Sequence, residues 1–246
     1  MRGYGIGTYG ERVAAVYDEW YESELDTAGA VSFLRSLARG GSILELGVGT
    51  GRVALALAAA GSDVDGIDAS PEMLARLAAK PGADTVTAIE GDIAAFSLPR
   101  TYSLVFAAFN TFLQLGSQER QLGCLRSAAA HLAEGGAVVL ECELPHAETW
   151  MSGQRTKVWK VDADTVIVEA SIHRPSEQVV ESQYLIGRNR EPLLLSPERL
   201  RYVPPGELRL MAEREGLSAR EWWGDWRGAP FGAASKWYVA VLEAAR

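Results

Sequence analysis

Residues 43–51, ILELGVGTG, set an apolar run, one acid and three alternating glycines in a row. The run reads as a strand that delivers the chain into a tight turn. Gly47, Gly49 and Gly51 lack a Cβ, so the backbone can turn sharply and a ligand can lie against the main chain. Residues 50–60 are rich in Ala and Leu and read as a helix whose first N–H groups face the same space. The spacing is G-x-G-x-G with Glu45 ahead of it, which differs from the G-x-G-x-x-G spacing that seats a pyrophosphate on a helix N-terminus.

The rest of the chain is organised around this turn. Helical periodicity covers 11–21 and 27–39, and a regular alternation follows: strands at 42–47, 63–69, 86–92, 102–109 and 137–144, with helices at 50–60, 70–79 and 117–133. Ser70 and Pro71 supply an N-cap and a first helical residue. Such alternation implies right-handed crossovers and a mostly parallel sheet covered on both faces, an α/β fold. From 156 to 202 the pattern changes to consecutive strand-like runs joined by short polar turns, an antiparallel meander. A helix at 206–215 and two strands at 217–226 and 236–243, read as an edge hairpin, close the chain. The expected division is therefore 1–150 with the N-terminal helices and the glycine turn, 151–203 as a meander insertion, and 204–246 as the closing segment.

With 246 residues the chain can bury a sizeable core. A formal charge of −8 provides no basic stripe for phosphate backbones, so nucleic acid is excluded as a partner and a small molecule is favoured. Cys124 and Cys142 lie in apolar settings without C-x-x-C spacing and read as buried free thiols. The N-terminal residues lack a signal-peptide core and no long apolar run appears, which predicts a cytoplasmic protein with no membrane partner.

Asp68 ends the second strand, where a carboxylate can accept two hydrogen bonds from a ribose diol; its alternative role is to cap the helix at Ser70. The third strand ends in Glu90-Gly91-Asp92-Ile93, and the pair Asp92 and Ile93 offers an acceptor and a flat apolar wall for an adenine. These motifs, with 102–115 (YSLVFAAFNTFLQL) and 132–141 (LAEGGAVVLE), resemble in order those of the class I S-adenosylmethionine-dependent methyltransferases. Ser103 stands where many members have Asp. The resemblance implies a Rossmann-like seven-stranded sheet with helices on both faces, S-adenosyl-L-methionine as cofactor, and a cofactor set of Tyr17, Tyr21, Glu45, Gly47, Gly49, Gly51, Arg52, Asp68, Ala69, Met73, Gly91, Asp92, Ile93 and Phe109. The segment Tyr17-Asp18-Glu19-Trp20-Tyr21 is similar to the entry helix of natural-product methyltransferases, and aromatic rings beside a sulfonium attract the cation.

Methyl transfer needs a nucleophile about 3 Å from the methyl carbon, opposite the sulfur. Tyr9, Tyr17 and His146 are the candidate catalytic residues, His146 as proton acceptor. Asn110, Phe112, Gln114 and Glu143 at the carboxyl ends of strands four and five, with Arg174, Tyr184 and Arg188 from the meander, are candidate substrate contacts. His131, His146 and His173 lack metal-ligand spacing, so no metal is expected. N-methylation of a small-molecule amine is preferred over O-methylation, since neither a metal nor an acid–base pair is evident. A nicotinamide oxidoreductase and a non-methylating cofactor-binding cyclase are the competing readings. The meander's edges need covering, which is compatible with a homo-oligomer. Replacing Asp68 with Ala is expected to weaken cofactor binding measured by calorimetry; unchanged affinity would remove the ribose assignment.

Overall fold

The computed structural model describes residues 1–21, 25–145 and 153–245. The N-terminal helices are α1 (Thr8–Val13), α2 (Tyr17–Tyr21) and α3 (Thr27–Ala38). The alternating part runs β1 (Ile43–Leu46), α4 (Arg52–Ala59), β2 (Val64–Asp68), α5 (Pro71–Ala78), β3 (Val86–Glu90), β4 (Tyr102–Ala107), α6 (Thr111–Gln114), α7 (Gln118–Ala130) and β5 (Leu132–Glu143). Then come β6 (Gln154–Val161), β7 (Thr165–Arg174), β8 (Val179–Arg188), β9 (Leu194–Arg201), α8 (Pro205–Arg214), β10 (Leu217–Trp223) and β11 (Trp237–Ala244).

Seven strands form one sheet in the order β10-β11-β5-β4-β1-β2-β3, parallel except that β11 runs against both neighbours. β10 and β11 form the expected hairpin at the sheet edge, with β10 outermost and β11 joined to β5. The strand order reverses between β1 and β4, and ligands in open α/β sheets bind beyond the carboxyl ends of the strands at such a reversal. The glycine turn leaves β1 at this point.

Side chains alternate across the central strands, so each face carries its own core. Ile43, Leu104 and Phe106 pack with Leu34 of α3 and Val53 and Leu57 of α4; Leu44, Val105 and Ala107 pack with Leu122 and Leu125 of α7 and Leu208 of α8. Cys124 and Cys142 are buried free thiols in the second of these cores, and burial pushes each up to about 12. Ser70 caps α5 by accepting from Met73 N at 3.3 Å, with Pro71 at the first helical position. The tryptophan-rich end is structural: Trp222 packs edge-on against Tyr238 and Trp226 against Phe33. His131 pins a loop, its Nε2 accepting from Leu98 N at 2.8 Å and its Nδ1 lying 2.7 Å from Ser127 O.

The second sheet is the meander β6-β7-β8-β9, antiparallel throughout. Its last strand packs on α1 and α6, which places the meander over the carboxyl edge of the large sheet. Two local expectations are corrected. The helix expected at 11–21 is broken into α1 and α2, because the break lets Val13, Ala14 and Val16 bury with Tyr9 against Met73. The strand expected at 137–144 begins earlier, at Leu132, so that Gly135 and Gly136 lie within β5, where a Cβ on Gly136 would come within 3.0 Å of the Tyr102 carbonyl oxygen.

Gly66, in the middle of β2, supports the cofactor turn from below, since a Cβ there would sit 2.6 Å from Val48 Cβ. Overpacking of this kind costs about 1–3 kcal/mol. Gly66→Ala is expected to lower the thermal midpoint by several degrees, and adding Val48→Ala to recover part of the loss in the same melting experiment.

Candidate active site

Two cavities meet beyond the carboxyl ends of the strands. The first, about 810 Å³ with its open mouth, is bounded by Gly47, Gly49, Asp68, Ala69, Met73, Asp92, Ile93 and Phe109, and is covered by the N-terminal residues Tyr4, Ile6, Tyr9 and Tyr17. A narrower recess beneath the turn is lined by Tyr17, Glu45, Thr50, Arg52 and Phe109. The second cavity, about 880 Å³, lies between the large sheet and the meander and includes Tyr21, Phe109, Asn110, Glu143, Glu169, Tyr184, Glu198 and Trp237.

The turn is held open by its backbone. Gly47 and Gly49 have φ of 72° and 54°, and a Cβ on Gly47 would lie 2.3 Å from Thr111 Cγ2. Asp68 fixes the turn from the neighbouring strand: Oδ2 accepts from Gly49 N and Oδ1 from Ser70 N, both at 2.8 Å. Burial raises the Asp68 carboxyl, and these backbone bonds pull it back down. A carboxylate has about four acceptor sites, and with Gly49, Ser70 and Ala69 bonded to it Asp68 keeps capacity for a hydroxyl in the cleft. Asp68 thus ties the two turns together and borders the cleft.

The entry helix is latched onto the turn by Asp18, which accepts from Thr50 Oγ1 at 2.5 Å and pairs with Lys80 at 2.7 Å. This latch brings Tyr17 against the recess. Burial pushes the Tyr17 phenol up to about 12 and holds Tyr9 well above its ordinary value. Both rings are therefore neutral walls and hydrogen-bond donors rather than bases.

After β4 the chain passes through two consecutive left-handed residues, Phe109 (φ 49°) and Asn110 (φ 62°). Such backbone costs on the order of 1–3 kcal/mol per non-glycine residue and persists where its surroundings hold it. Here the alternate acids of β5 hold it. Glu141 Oε2 accepts from Phe109 N at 2.6 Å, while Glu143 N donates to Asn110 Oδ1 at 2.8 Å and Asn110 Nδ2 to Glu143 Oε2 at 3.3 Å. The Phe109 ring consequently forms part of the wall of both large cavities.

Comparison with known proteins agrees with this geometry. Residues 43–136 match the family described as "Methyltransferase domain". The cypemycin N-terminal methyltransferase of a Streptomyces species is 31% identical over 239 residues, covering 96% of this chain and 97% of that protein. The solved structure of the CcbJ methyltransferase from Streptomyces caelestis is 37% identical, covers 99% of this chain and 100% of its own, and superposes with a TM-score of 0.91. A dTDP-3-amino-3,6-dideoxy-alpha-D-glucopyranose N,N-dimethyltransferase from Streptomyces fradiae is 30% identical over 141 residues, 54% of each chain. The chain belongs to the class I S-adenosylmethionine-dependent methyltransferases.

The residues present fit S-adenosylmethionine. Glu45 is 4% exposed, and its Oε2 and Arg52 Nε are buried without hydrogen-bond partners. An unpaired carboxyl oxygen and an unpaired guanidinium N–H at the recess, on side chains otherwise held by Ala54 N and Thr27 Oγ1, suit the ammonium and carboxylate of a methionine moiety. Asp68 would present acceptors to a ribose, and Ile93 and Met73 line the same cleft as an apolar wall. When bound, the cofactor supplies an electrophilic methyl group; the protein holds it against aromatic rings and keeps water out.

Several expected site residues are placed elsewhere. Phe112 is fully buried in the core, because α6 turns that face of the helix inward, so it is not a substrate contact. Gly51 serves packing: it caps α4 at φ 82°, and a Cβ would meet Leu77 Cγ at 2.9 Å. Gly91 likewise meets Ile67 rather than the cleft, and its N–H bonds Asp68 O at 2.9 Å. Asp92 borders the cleft, but its carboxylate is engaged by Arg120 at 2.8 and 3.1 Å and by Ala94 N at 2.9 Å, which leaves less of it for an adenine amine. Tyr21 borders the second cavity rather than the cofactor cleft, since α2 turns it toward Phe109.

Arg174 and Arg188 lie outside both large cavities, paired with Glu181 and Glu19 at the meander surface. His146 lies outside the described residues. Tyr9, Tyr17, Gln114 and Asn110 are brought to the cavities as expected, with Glu143 and Tyr184. Glu169, Glu198, Trp237, Arg120 and the covering residues Tyr4 and Ile6 were not singled out by their sequence context.

Burial raises Glu45 to about 8, with Arg52 opposing the shift. A carboxyl raised in the fold penalises folding increasingly as pH climbs from its unfolded value near 4.5 to 8. Glu45→Gln is therefore expected to raise the thermal midpoint of the cofactor-free protein at pH 8 more than at pH 5. The same variant is expected to weaken S-adenosylmethionine binding by about tenfold or more in calorimetry, since a charge-assisted bond contributes about 1.5–3 kcal/mol.

Proposed function

We propose that this enzyme transfers a methyl group to an amine nitrogen of a small natural product. The observation that carries this reading is the second cavity, where Glu143, Glu169 and Glu198 face a space walled by Tyr21, Phe109, Tyr184 and Trp237. Carboxylates and aromatic faces attract an ammonium group. Arg155 and Lys157 also border this cavity, from the edge strand of the meander, where they suit an acidic group elsewhere on the acceptor. The names of the cypemycin and amino-sugar methyltransferases, both specifying amine methylation, support the same reading.

In this reading residues 1–150 hold the cofactor, 151–203 roof the acceptor, and 204–246 complete the sheet. Positioning supplies much of the rate, because two reactants held in line react as one molecule. No helix among the described residues is long and apolar enough to cross a membrane, and the reading has the enzyme work in the cytoplasm. Val158, Val161, Ile172 and Leu195 expose 48–70% of their surface on the meander, which supports a homo-oligomer covering it.

Incubation with methyl-labelled S-adenosylmethionine and a panel of amino sugars, amino acid amides and short peptides with free N-termini, matched with their hydroxyl analogues, is expected to label the amines. Label on the hydroxyl analogues alone would overturn the amine reading. Light scattering behind size exclusion is expected to return a mass above the 26.6 kDa of one chain.

A further inference from the structure

We propose that Glu198 is the group that takes the proton from the acceptor nitrogen; the inference rests on the amine reading above. Its place in the fold comes first. Glu198 stands on β9 and borders the acceptor cavity, yet its Oε1 lies 3.4 Å from the donating Nε2 of Gln114, a side chain that borders the cofactor cleft. On the other flank the phenols of Tyr9 and Tyr21, one bordering each cavity, meet at 3.4 Å. The carboxylate is thus at the seam where an acceptor nitrogen must come to reach the methyl group.

The three acids of the cavity are not equivalent. Glu169 is held by Trp159 Nε1 at 2.9 Å and Ser182 Oγ at 3.0 Å, and Glu143 belongs to the clamp on Asn110. These bonds give both side chains structural work. Glu198 is 9% exposed and receives only two long bonds, from Gln114 and, at 3.3 Å, from the Tyr184 hydroxyl.

The groups facing it are Tyr4, Tyr9 of α1, Tyr21 of α2, Gln114 of α6, Glu143 of β5, Arg155 and Lys157 of β6, Glu169 of β7 and Tyr184 of β8. Burial, with Glu169 and Glu143 adding to it, raises Glu198 to about 8, against smaller opposing effects of Tyr184 and Gln114. A base is most effective when it is tuned near the working pH.

The step balances without a further reagent. An acceptor ammonium transfers one N–H proton to the Glu198 carboxylate, which becomes a neutral acid. The freed lone pair forms the N–C bond to the methyl carbon while the C–S electron pair stays on sulfur. Positive charge passes from sulfur to the methylated nitrogen, and the acid returns its proton to water when product leaves.

The test combines kinetics with a reading that needs no acceptor. With the amine labelled best in the panel, Glu198→Gln is expected to lower kcat by about 100-fold with little change in KM. It should also abolish the limb near pH 8 over which wild-type kcat rises. Glu198→Asp is expected to restore part of the rate. In carboxyl-13C-glutamate-labelled wild-type protein without cofactor, two resonances, those of Glu45 and Glu198, should titrate near 8, and only one of them should be missing from Glu198→Gln.

A Glu198→Gln enzyme within twofold of wild type with the limb intact overturns the inference and leaves amine methylation standing. A panel in which only hydroxyl analogues are labelled removes the reading on which it rests. A Glu198 resonance that titrates between about 4 and 5 overturns the inference even if no panel compound is methylated or Glu198→Gln fails to fold.

Discussion

The carboxylate of Asp68 joins the two turns that leave the neighbouring strands β1 and β2, beside the backbone bonds that Gly47 and Val48 donate to Ile67. One oxygen holds Gly49 in the turn after β1 and the other holds Ser70 at the start of α5. Both turns leave parallel neighbours at the same edge of the sheet, so one side chain sets the distance between the two walls of the cofactor cleft. The N-terminal arm then docks on this platform. Gly10 approaches Ser70 so closely that a Cβ would lie 2.6 Å from the serine Cβ, and Asp18 fastens the next helix to Thr50. The cover of the cleft is thereby built on the floor rather than on the meander alone.

Above this floor the enzyme divides its work between two sheets. The parallel sheet presents backbone amides and a few acids at strand ends, a geometry suited to a cofactor with many polar groups. The meander presents a broad face on which acids and rings alternate, as Tyr184 and Glu198 do on adjoining strands. The chemistry of recognition therefore changes across the seam, from main-chain hydrogen bonding on one side to charge and aromatic walls on the other.

The cofactor half was legible because its signals are local. Three glycines in a turn, an acid seventeen residues beyond and a capped helix each leave a mark within a few residues, and the alternation of strands and helices fixes where they meet. The acceptor half was not. Glu198 sits in a strand whose residues alternate, and nothing in SPERLRYV says whether its polar face meets water or another sheet. Phe112 was misplaced for the related reason that a four-residue helix carries too little periodicity to tell its inner face. The roles of Gly51 and Gly91 as packing positions likewise depend on Leu77 and Ile67, which come from other elements.

The strained pair after β4 carries a consequence of its own. The Phe109 ring is one wall shared by two chambers, clamped through its backbone by Glu141. A displacement of that ring by an occupant on one side alters the space offered on the other. Reciprocity then requires that, to whatever extent the methyl donor changes the affinity for the acceptor, the acceptor changes the affinity for the donor by the same factor. The order in which the two enter is in this way linked to a single peptide N–H held 2.6 Å from a carboxylate.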